Sequence, residues 1–288
     1  MIQVVARGNG TPEDVVAVEK ELVRLPDAIG GALADAGVLV VACRGSVLGY
    51  APHLAGQRPR EWSEGSTWDT VPGCYLPSEK VVVVATVAHE AARRVPPFGV
   101  GHGSRSLAVH ETLHGYDYAR ARAASRAAEF RRAWRSDVPV LGTSYFTNPN
   151  SGPEESFAES GARHFGLDDA QVHAWPHLRS YWNGDRSRLL STGPADEPLE
   201  EDAGGEQDGL HDGPLGWGRP GPDGSFELFL TARGEQGEIG HGLVVVRPGD
   251  PAFEGVSALA RRSRERLLTT SAPASADIFD VPTLPGPR

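Results

Sequence analysis

His110-Glu111-Thr112-Leu113-His114 carries two imidazoles four residues apart with a carboxylate beside the first. On an α-helix, residues at that spacing share one face, so His110 and His114 can bind one metal ion together. Glu111 then projects beside the metal's open position, where a general base for hydrolysis has to stand. Leu107-Ala108-Val109 just before the motif suits a buried helix, and imidazole at that depth calls for a partner. Two ordinary helical histidines with a surface glutamate would give the same five residues, so the motif needs support from elsewhere in the chain.

A catalytic zinc site takes three protein ligands and leaves its fourth position to water. The best third donor lies in Glu154-Glu155-Ser156-Phe157-Ala158-Glu159. Ser151 can cap a helix here, with Pro153 in its first turn and Glu154 completing a capping box. Glu155 and Glu159 then share one face while Phe157 points towards the core. Two carboxylates on a buried face repel each other unless a cation or donors compensate, and a zinc ion with two imidazole ligands is one such compensator. A solvated acidic helix start, favoured by the helix dipole, is the alternative reading of the same acids.

These residues together resemble the zinc metallopeptidases built like the catalytic domain of anthrax lethal factor, a family that includes the Pro-Pro endopeptidases. The likeness rests on His110-Glu111-x-x-His114, Asp117, Tyr145 and Glu155-Ser156-Phe157-Ala158-Glu159. It extends upstream through Trp68-Asp69-Thr70-Val71-Pro72-Gly73-Cys74-Tyr75-Leu76-Pro77 and downstream to Trp175-Pro176-His177-Leu178 and Tyr181, covering residues 15 to 190. Two positions depart from the family pattern. Leu113 stands where the family usually has Gly, and Tyr145 lies farther from the glutamate ligand than the lethal factor spacing would place it. Thr147-Asn148-Pro149-Asn150 looks like a turn that absorbs the difference.

The resemblance implies an α+β fold of the zincin type, with a small mixed sheet and an active-site helix. It implies Zn2+ held by His110, His114 and Glu155, of the gluzincin kind. Peptide bonds would be hydrolysed by a zinc-bound water from which Glu111 takes the proton. Tyr145 would donate a hydrogen bond to the developing oxyanion, with Tyr116 and Tyr118 as rival donors. Asp117 is expected to hold the second nitrogen of a ligand imidazole, and Glu159 to support the ligands from behind; exposed carboxylates are the alternative for both. A strand near Val71–Leu76 is expected to border the cleft and pair with extended peptide, with an ordinary hairpin as the alternative.

The elements that must position these groups can be read along the chain. Thr11-Pro12-Glu13-Asp14 starts a helix whose apolar face runs Val15, Val18, Leu22, Leu25. A second short helix ends at Gly37 and leads into a buried strand from Val38 to Cys43. Residues 44–67 are polar loop, rich in Gly, Pro and Trp. Val71–Leu76 and Val81–Val84 read as neighbouring strands joined by Pro77-Ser78-Glu79. Gly99, Gly101 and Gly103 form an approach loop in which His102 is expected to be exposed. Ala119 to Trp134 is expected to be a helix with a solvated arginine face, and Trp175, His177, Tyr181 and Trp182 to be core and cap.

The domain expectation is a catalytic unit over 1–192, an acidic Gly/Pro-rich linker over 193–214, a small ββα addition over 215–268 and a disordered tail over 269–288. In the addition, Ser225–Ala232 and Leu243–Val246 read as strands and Asp250-Pro251 opens a helix reaching Leu267. His241 stands alone there and is not assigned to the zinc.

The 288 residues give ample length for a core, and a formal charge of −10 speaks against nucleic acid or anionic membrane as partner. No apolar run reaches membrane-spanning length, and Met1-Ile2-Gln3-Val4-Val5-Ala6-Arg7 has no signal-peptide pattern. The expected location is cytoplasmic, or outside the cell by an unconventional export route. Cys43 and Cys74 suggest no disulfide framework. The sequence therefore reads as a zinc metalloprotease, toxin-like in kinship, acting on extended peptide or protein. Two alternatives stay open: a degenerate peptidase fold that binds a peptide or partner without cutting, and a zinc hydrolase of non-peptide amides. Substrate, oligomeric state and the role of the last third are not set by the sequence.

Overall fold

Thr11 and Asp14 set the first helix in place, because the Asp14 carboxylate accepts from both the backbone N–H and the hydroxyl of Thr11, each at 2.8 Å. In the computed structural model, which describes residues 2–119, 123–166, 175–184, 215–269 and 278–282, this helix follows strand β1 (Val4–Ala6) as α1 (Pro12–Leu22). Val18, Leu22 and Leu25 are buried as expected. The second helix, α2 (Asp27–Asp35), closes at Gly37, whose φ of +72° allows Val38 N–H to reach Leu33 O and Gly37 N–H to reach Ala34 O.

The apolar runs become strands β2 (Leu39–Arg44), β3 (Gly73–Leu76) and β4 (Val81–His89), and β5 (Ala92–Arg94) folds back on the end of β4. β1, β2 and β4 run parallel, while β3 and β4 form the expected antiparallel hairpin. Their valines are continuous because the sheet is covered on both faces. Val40, Val82 and Val84 enter one core with α1 and α2, whereas Val41, Val81 and Val83 enter the other. Val47, Leu54 and Trp62 from the loop over 44–67, with Trp68 just after it, are buried in that second core, so much of this loop is packed. Cys43 and Cys74 are buried free thiols.

Helices α3 (Leu107–Tyr118), α4 (Ala128–Asp137), α5 (Ser144–Thr147), α6 (Gly152–Phe165) and α7 (Pro176–Asn183) follow. The helix expected from Ala119 to Trp134 is narrower: α3 stops at Tyr118 and α4 begins at Ala128, with residues 120–122 outside the described set. Asp137 is buried at the end of α4 and accepts from the backbone N–H groups of His177 and Leu178, which anchors α7. Trp175 and Trp182 are core, as expected.

The last third departs most from expectation. Strands β6 (Gly216–Pro220), β7 (Phe226–Arg233) and β8 (Ile239–Val246) are followed by α8 (Phe253–Thr269) and β9 (Phe279–Val281). The two expected strands and the helix are present, but they do not stand apart from the sheet. β8 pairs antiparallel with β3, giving one sheet in the order β1-β2-β4-β3-β8-β7-β6-β9. An unpaired β3 edge would leave a row of backbone donors and acceptors unsatisfied, and β8 satisfies it. The expected free edge at Val71–Leu76 is therefore absent. Phe279 and Val281, within the tail expected to be disordered, are buried in β9. The linker over 193–214 lies outside the described residues, as do 270–277 and 283–288. No helix among the described residues is long and apolar enough to cross a membrane.

Candidate metal centre

α3 is buried from Leu107 to Asp117, which is why its sequence lacks a polar stripe. Ser106 caps it, its hydroxyl accepting weakly from Val109 N–H and donating to Glu21 Oε2 at 3.0 Å. The approach loop is tied down by His102, which is fully buried rather than exposed. Its Nε2–H donates to Pro96 O at 2.8 Å, and Nδ1 accepts from Ser104 N–H at 3.2 Å. Burial lowers its pKa to about 4, so it is neutral. Close approach fixes two glycines around α3. A Cβ on Gly115 would lie 2.5 Å from Val82, and one on Gly161 of α6 would lie 2.1 Å from Leu113. Leu113, where the family usually has Gly, is accommodated by that second glycine.

One turn of α3 brings the Nε2 atoms of His110 and His114 to 3.1 Å from each other. From α6, Glu155 Oε2 stands 3.8 Å from His110 Nε2 and 3.6 Å from His114 Nε2. Glu159, one turn on, places Oε2 3.5 Å from His110 Nδ1, while Arg163 Nε donates to its other oxygen at 2.9 Å. Burial would raise the Glu159 carboxyl, yet Arg163 and His110 hold it at about 2. α6 does not start with the expected capping box. Glu154 instead accepts from Tyr118 and Arg126, and Asn148 Oδ1 takes the N–H groups of Asn150 and Ser151 in the expected turn.

His241 joins these residues from β8. Its Nδ1–H donates to Glu111 Oε1 at 2.9 Å and its Nε2 lies 3.0 Å from Glu155 Oε2. Between two carboxylates the imidazole binds its proton tightly: burial opposes charge, but Glu155 and Glu111 push it up to about 10. Burial likewise opposes the charge on Glu155, and His241 with His114 brings it well below the carboxylate range. Sequence reasoning set His241 aside because no helical spacing links it to α3 or α6. The available signal was a histidine between two glycines in a strand, Gly240-His241-Gly242, and that pattern does not say which residues lie opposite.

The sheet register explains the meeting. Gly73, His241 and Thr231 are partners across β3, β8 and β7, so they form one rung beneath α3 and α6. A Cβ on Gly73 would lie 2.8 Å from Glu111 Cγ, so that glycine lets the Glu111 side chain sit directly on the sheet. Thr231 Oγ1 is 2.8 Å from the Tyr145 hydroxyl and 3.4 Å from Glu155 Oε1. Tyr145 is thus buried beside Glu155, and burial raises its pKa well above the tyrosine range. Of the rival donors, Tyr118 gives its hydroxyl to Glu154 at 2.5 Å, while Tyr116 stacks on Phe157 in the core.

Asp117 is placed otherwise than expected. Its carboxylate accepts from Ser125 N–H at 2.8 Å and from the Ser125 hydroxyl at 2.7 Å, so it secures the turn after α3 rather than an imidazole. Burial raises it to about 6. Among the described residues, His110 Nδ1 and His114 Nδ1 are both buried without a hydrogen-bond partner, Glu159 Oε2 facing the former as a charge at 3.5 Å.

The donor set fits a metal ion. His110, His114, Glu155 and His241 each offer one atom, all within 4.8 Å of one another. Tetrahedral zinc with N and O ligands at its usual bond lengths needs ligand atoms about 3.3 Å apart. Four of the six separations, 3.1, 3.6, 3.8 and 3.0 Å, lie around that figure, and none in the group exceeds 4.8 Å, so small side-chain adjustments would close the set on an ion. Three imidazoles with one carboxylate is also zinc's preferred kind of ligand chemistry.

Comparison with known proteins places the chain. Residues 6–173 match the family model described as "Anthrax toxin lethal factor, N- and C-terminal domain", and the chain belongs to that family. It is similar to a Pro-Pro endopeptidase of Paenibacillus alvei, at 32% identity over 164 residues covering 55% of this chain and 70% of the relative. A solved structure of a Pro-Pro endopeptidase from the same organism aligns at 26% identity and a TM-score of 0.48, covering 62% of this chain and 95% of that one. The family match contains His110, Glu111, His114, Tyr145, Glu155 and Glu159; His241 lies beyond it.

Proposed function

We propose that this protein is a zinc-dependent endopeptidase in which His110, His114 and Glu155 hold the metal and Glu111 is the general base. The observation that carries this reading is the convergence of the three donors on one buried point with the Glu111 carboxylate beside them. The name of the relative supports a peptide substrate. A zinc ion in this set supplies Lewis acidity, bringing the pKa of water towards neutrality and polarising a peptide carbonyl.

The chain's own residues do the rest. Glu111, seated on Gly73, takes a proton from water through Oε1 or Oε2 and returns it to the leaving amine. Tyr145, once its hydroxyl is free of Thr231, donates a hydrogen bond to negative charge developing on the carbonyl oxygen. Glu159 orients the His110 ring through Nδ1, and Arg163 keeps that carboxylate charged. The test is elemental mass spectrometry on the wild type and Glu155→Ala, purified side by side without added metal. About one zinc per chain in the wild type and a clear loss in the variant are expected. A folded wild type that takes up no zinc even when offered it would end this reading.

One observation favours a second reading. His241 supplies a fourth protein donor, and a closed four-ligand zinc is the structural rather than the catalytic kind. On that reading the fold binds a partner without cutting.

A further inference from the structure

The space between Glu111 and Glu155 is where a scissile carbonyl and a water would have to stand, and the His241 imidazole occupies it at 2.9 and 3.0 Å. An extended peptide that reaches Glu111 has to run beside Gly73, because the base sits directly over that residue. This lane is already taken. β8 runs antiparallel along β3 with His241 opposite Gly73, Gly240 opposite Cys74 and Ile239 opposite Tyr75, as an added peptide strand would. The cavity left around His110, Tyr145, Glu159 and His241 measures about 20 Å³. That is room for about one water.

We propose that β8 is a built-in occupant of the substrate's place, with His241 as a fourth metal donor, so that the enzyme is latent until a peptide displaces the strand from β3. This rests on the zinc endopeptidase reading above. Two features make the β3–β8 joint the place to open. β8 pairs with β3 over three residues, Gly73 to Tyr75, but with β7 over eight, from Phe226 to Arg233. Breaking the short joint would carry β8 away on β7 with the longer pairing intact. β8 also seats closely only because it is glycine-rich. A Cβ on Gly240 would lie 2.6 Å from Gly73 O and 2.9 Å from Cys74 Cβ. The blocking strand lies beyond the family match at 6–173.

The experiment compares full-length wild type, His241→Ala and Gly240→Val, each checked by thermal unfolding. Four quantities are read: zinc per chain, zinc release into a chelator, the visible spectrum of the cobalt(II)-substituted protein, and cleavage of a peptide library. The expected wild type holds one metal, its cobalt spectrum does not respond to azide, and cleavage is slow. His241→Ala should keep its zinc, release it at least about tenfold faster, show an azide-sensitive cobalt spectrum and cleave faster. Gly240→Val, which keeps the imidazole but unseats the strand, should also cleave faster.

Unchanged release and spectrum in His241→Ala would remove His241 from the metal and overturn the proposal. So would complete zinc loss in that variant while folded, or zinc-loaded variants that cleave no faster than wild type. If His241→Ala does not fold, the wild-type azide response and Gly240→Val decide. A wild type that takes up no zinc overturns the endopeptidase reading itself, which separates the two failures.

Discussion

Two buried carboxylates organise this molecule, and their partners differ in kind. Asp14 is fully buried and accepts from Thr11 and Thr86 hydroxyls, from Arg93 Nε at 2.8 Å and from Arg44 Nε at 3.0 Å. Glu155, also inaccessible to solvent, is faced by His241, His114 and His110 at 3.0, 3.6 and 3.8 Å. Guanidinium groups are always charged and offer no lone pair, so the Asp14 cluster is a finished ion network binding α1 to β2, β4 and β5. Imidazoles can give up a proton and present a lone pair, so the Glu155 cluster can exchange protons for a metal ion. Burial of an acid does not by itself mark a functional site; the chemistry of its partners does.

The largest expected effect sharpens that contrast at the base. Glu111→Gln should lower peptide turnover by about 10²- to 10⁴-fold while zinc per chain is unchanged. This is read by elemental analysis and library cleavage, in wild type and in the His241→Ala background. Equal turnover with Gln at this position would remove Glu111 from the chemistry.

Asp14→Ala should act in a different currency, lowering folding stability by about 1–3 kcal/mol because the buried Thr86 hydroxyl and the Arg93 guanidinium lose their acceptor. Zinc content should not change. Against burial, the Thr86 and Thr11 hydroxyls, Arg93 and the Thr11 backbone N–H hold the Asp14 carboxyl well below its ordinary range. Its contribution is therefore present above the unfolded pKa of about 4 and is lost as pH falls through the depressed folded value. Denaturant melts at neutral pH and at pH 3 should show the wild type losing part of its margin over the variant. A variant that sheds zinc at full stability would break the comparison.

Glu155→Ala should weaken zinc binding by at least about a hundredfold with a smaller effect on folding in the metal-free state, as measured by chelator competition. Glu159→Gln should be smallest, about tenfold in zinc affinity, since the His110 ring loses its orienting charge but keeps its lone pair. An Asp117→Asn variant with a larger effect than Glu159→Gln would contradict the bonds seen here, which direct Asp117 to Ser125.

Much of the site was legible in order along the chain. The spacing from His110 to His114 and from Glu155 to Glu159 is helical, so a few residues of local sequence decide which side chains share a face. The same holds for the Gly37 helix stop and for the β3–β4 hairpin. Misread residues were those whose partners are remote. His102 looked exposed in a glycine-rich loop, yet its ring bonds to Pro96 and Ser104 inside the protein. Asp117 had the right position for an imidazole and was claimed by Ser125. Ser225–Ala232 shows its strand by alternation and Leu243–Val246 reads as a second, while Gly216–Pro220 was not foreseen, and no such pattern says which edge a strand will join.

By itself, then, the sequence determined that His110 and His114 share a face of α3, that Glu155 and Glu159 share one of α6, and the family to which residues 6–173 belong. Only the tertiary structure decided that His241, 86 residues after Glu155, meets both Glu155 and Glu111. Helix periodicity is a short-range property of the backbone and is written in adjacent residues. Strand pairing is a long-range choice among edges, fixed by which unpaired backbone and which apolar face remain to be covered.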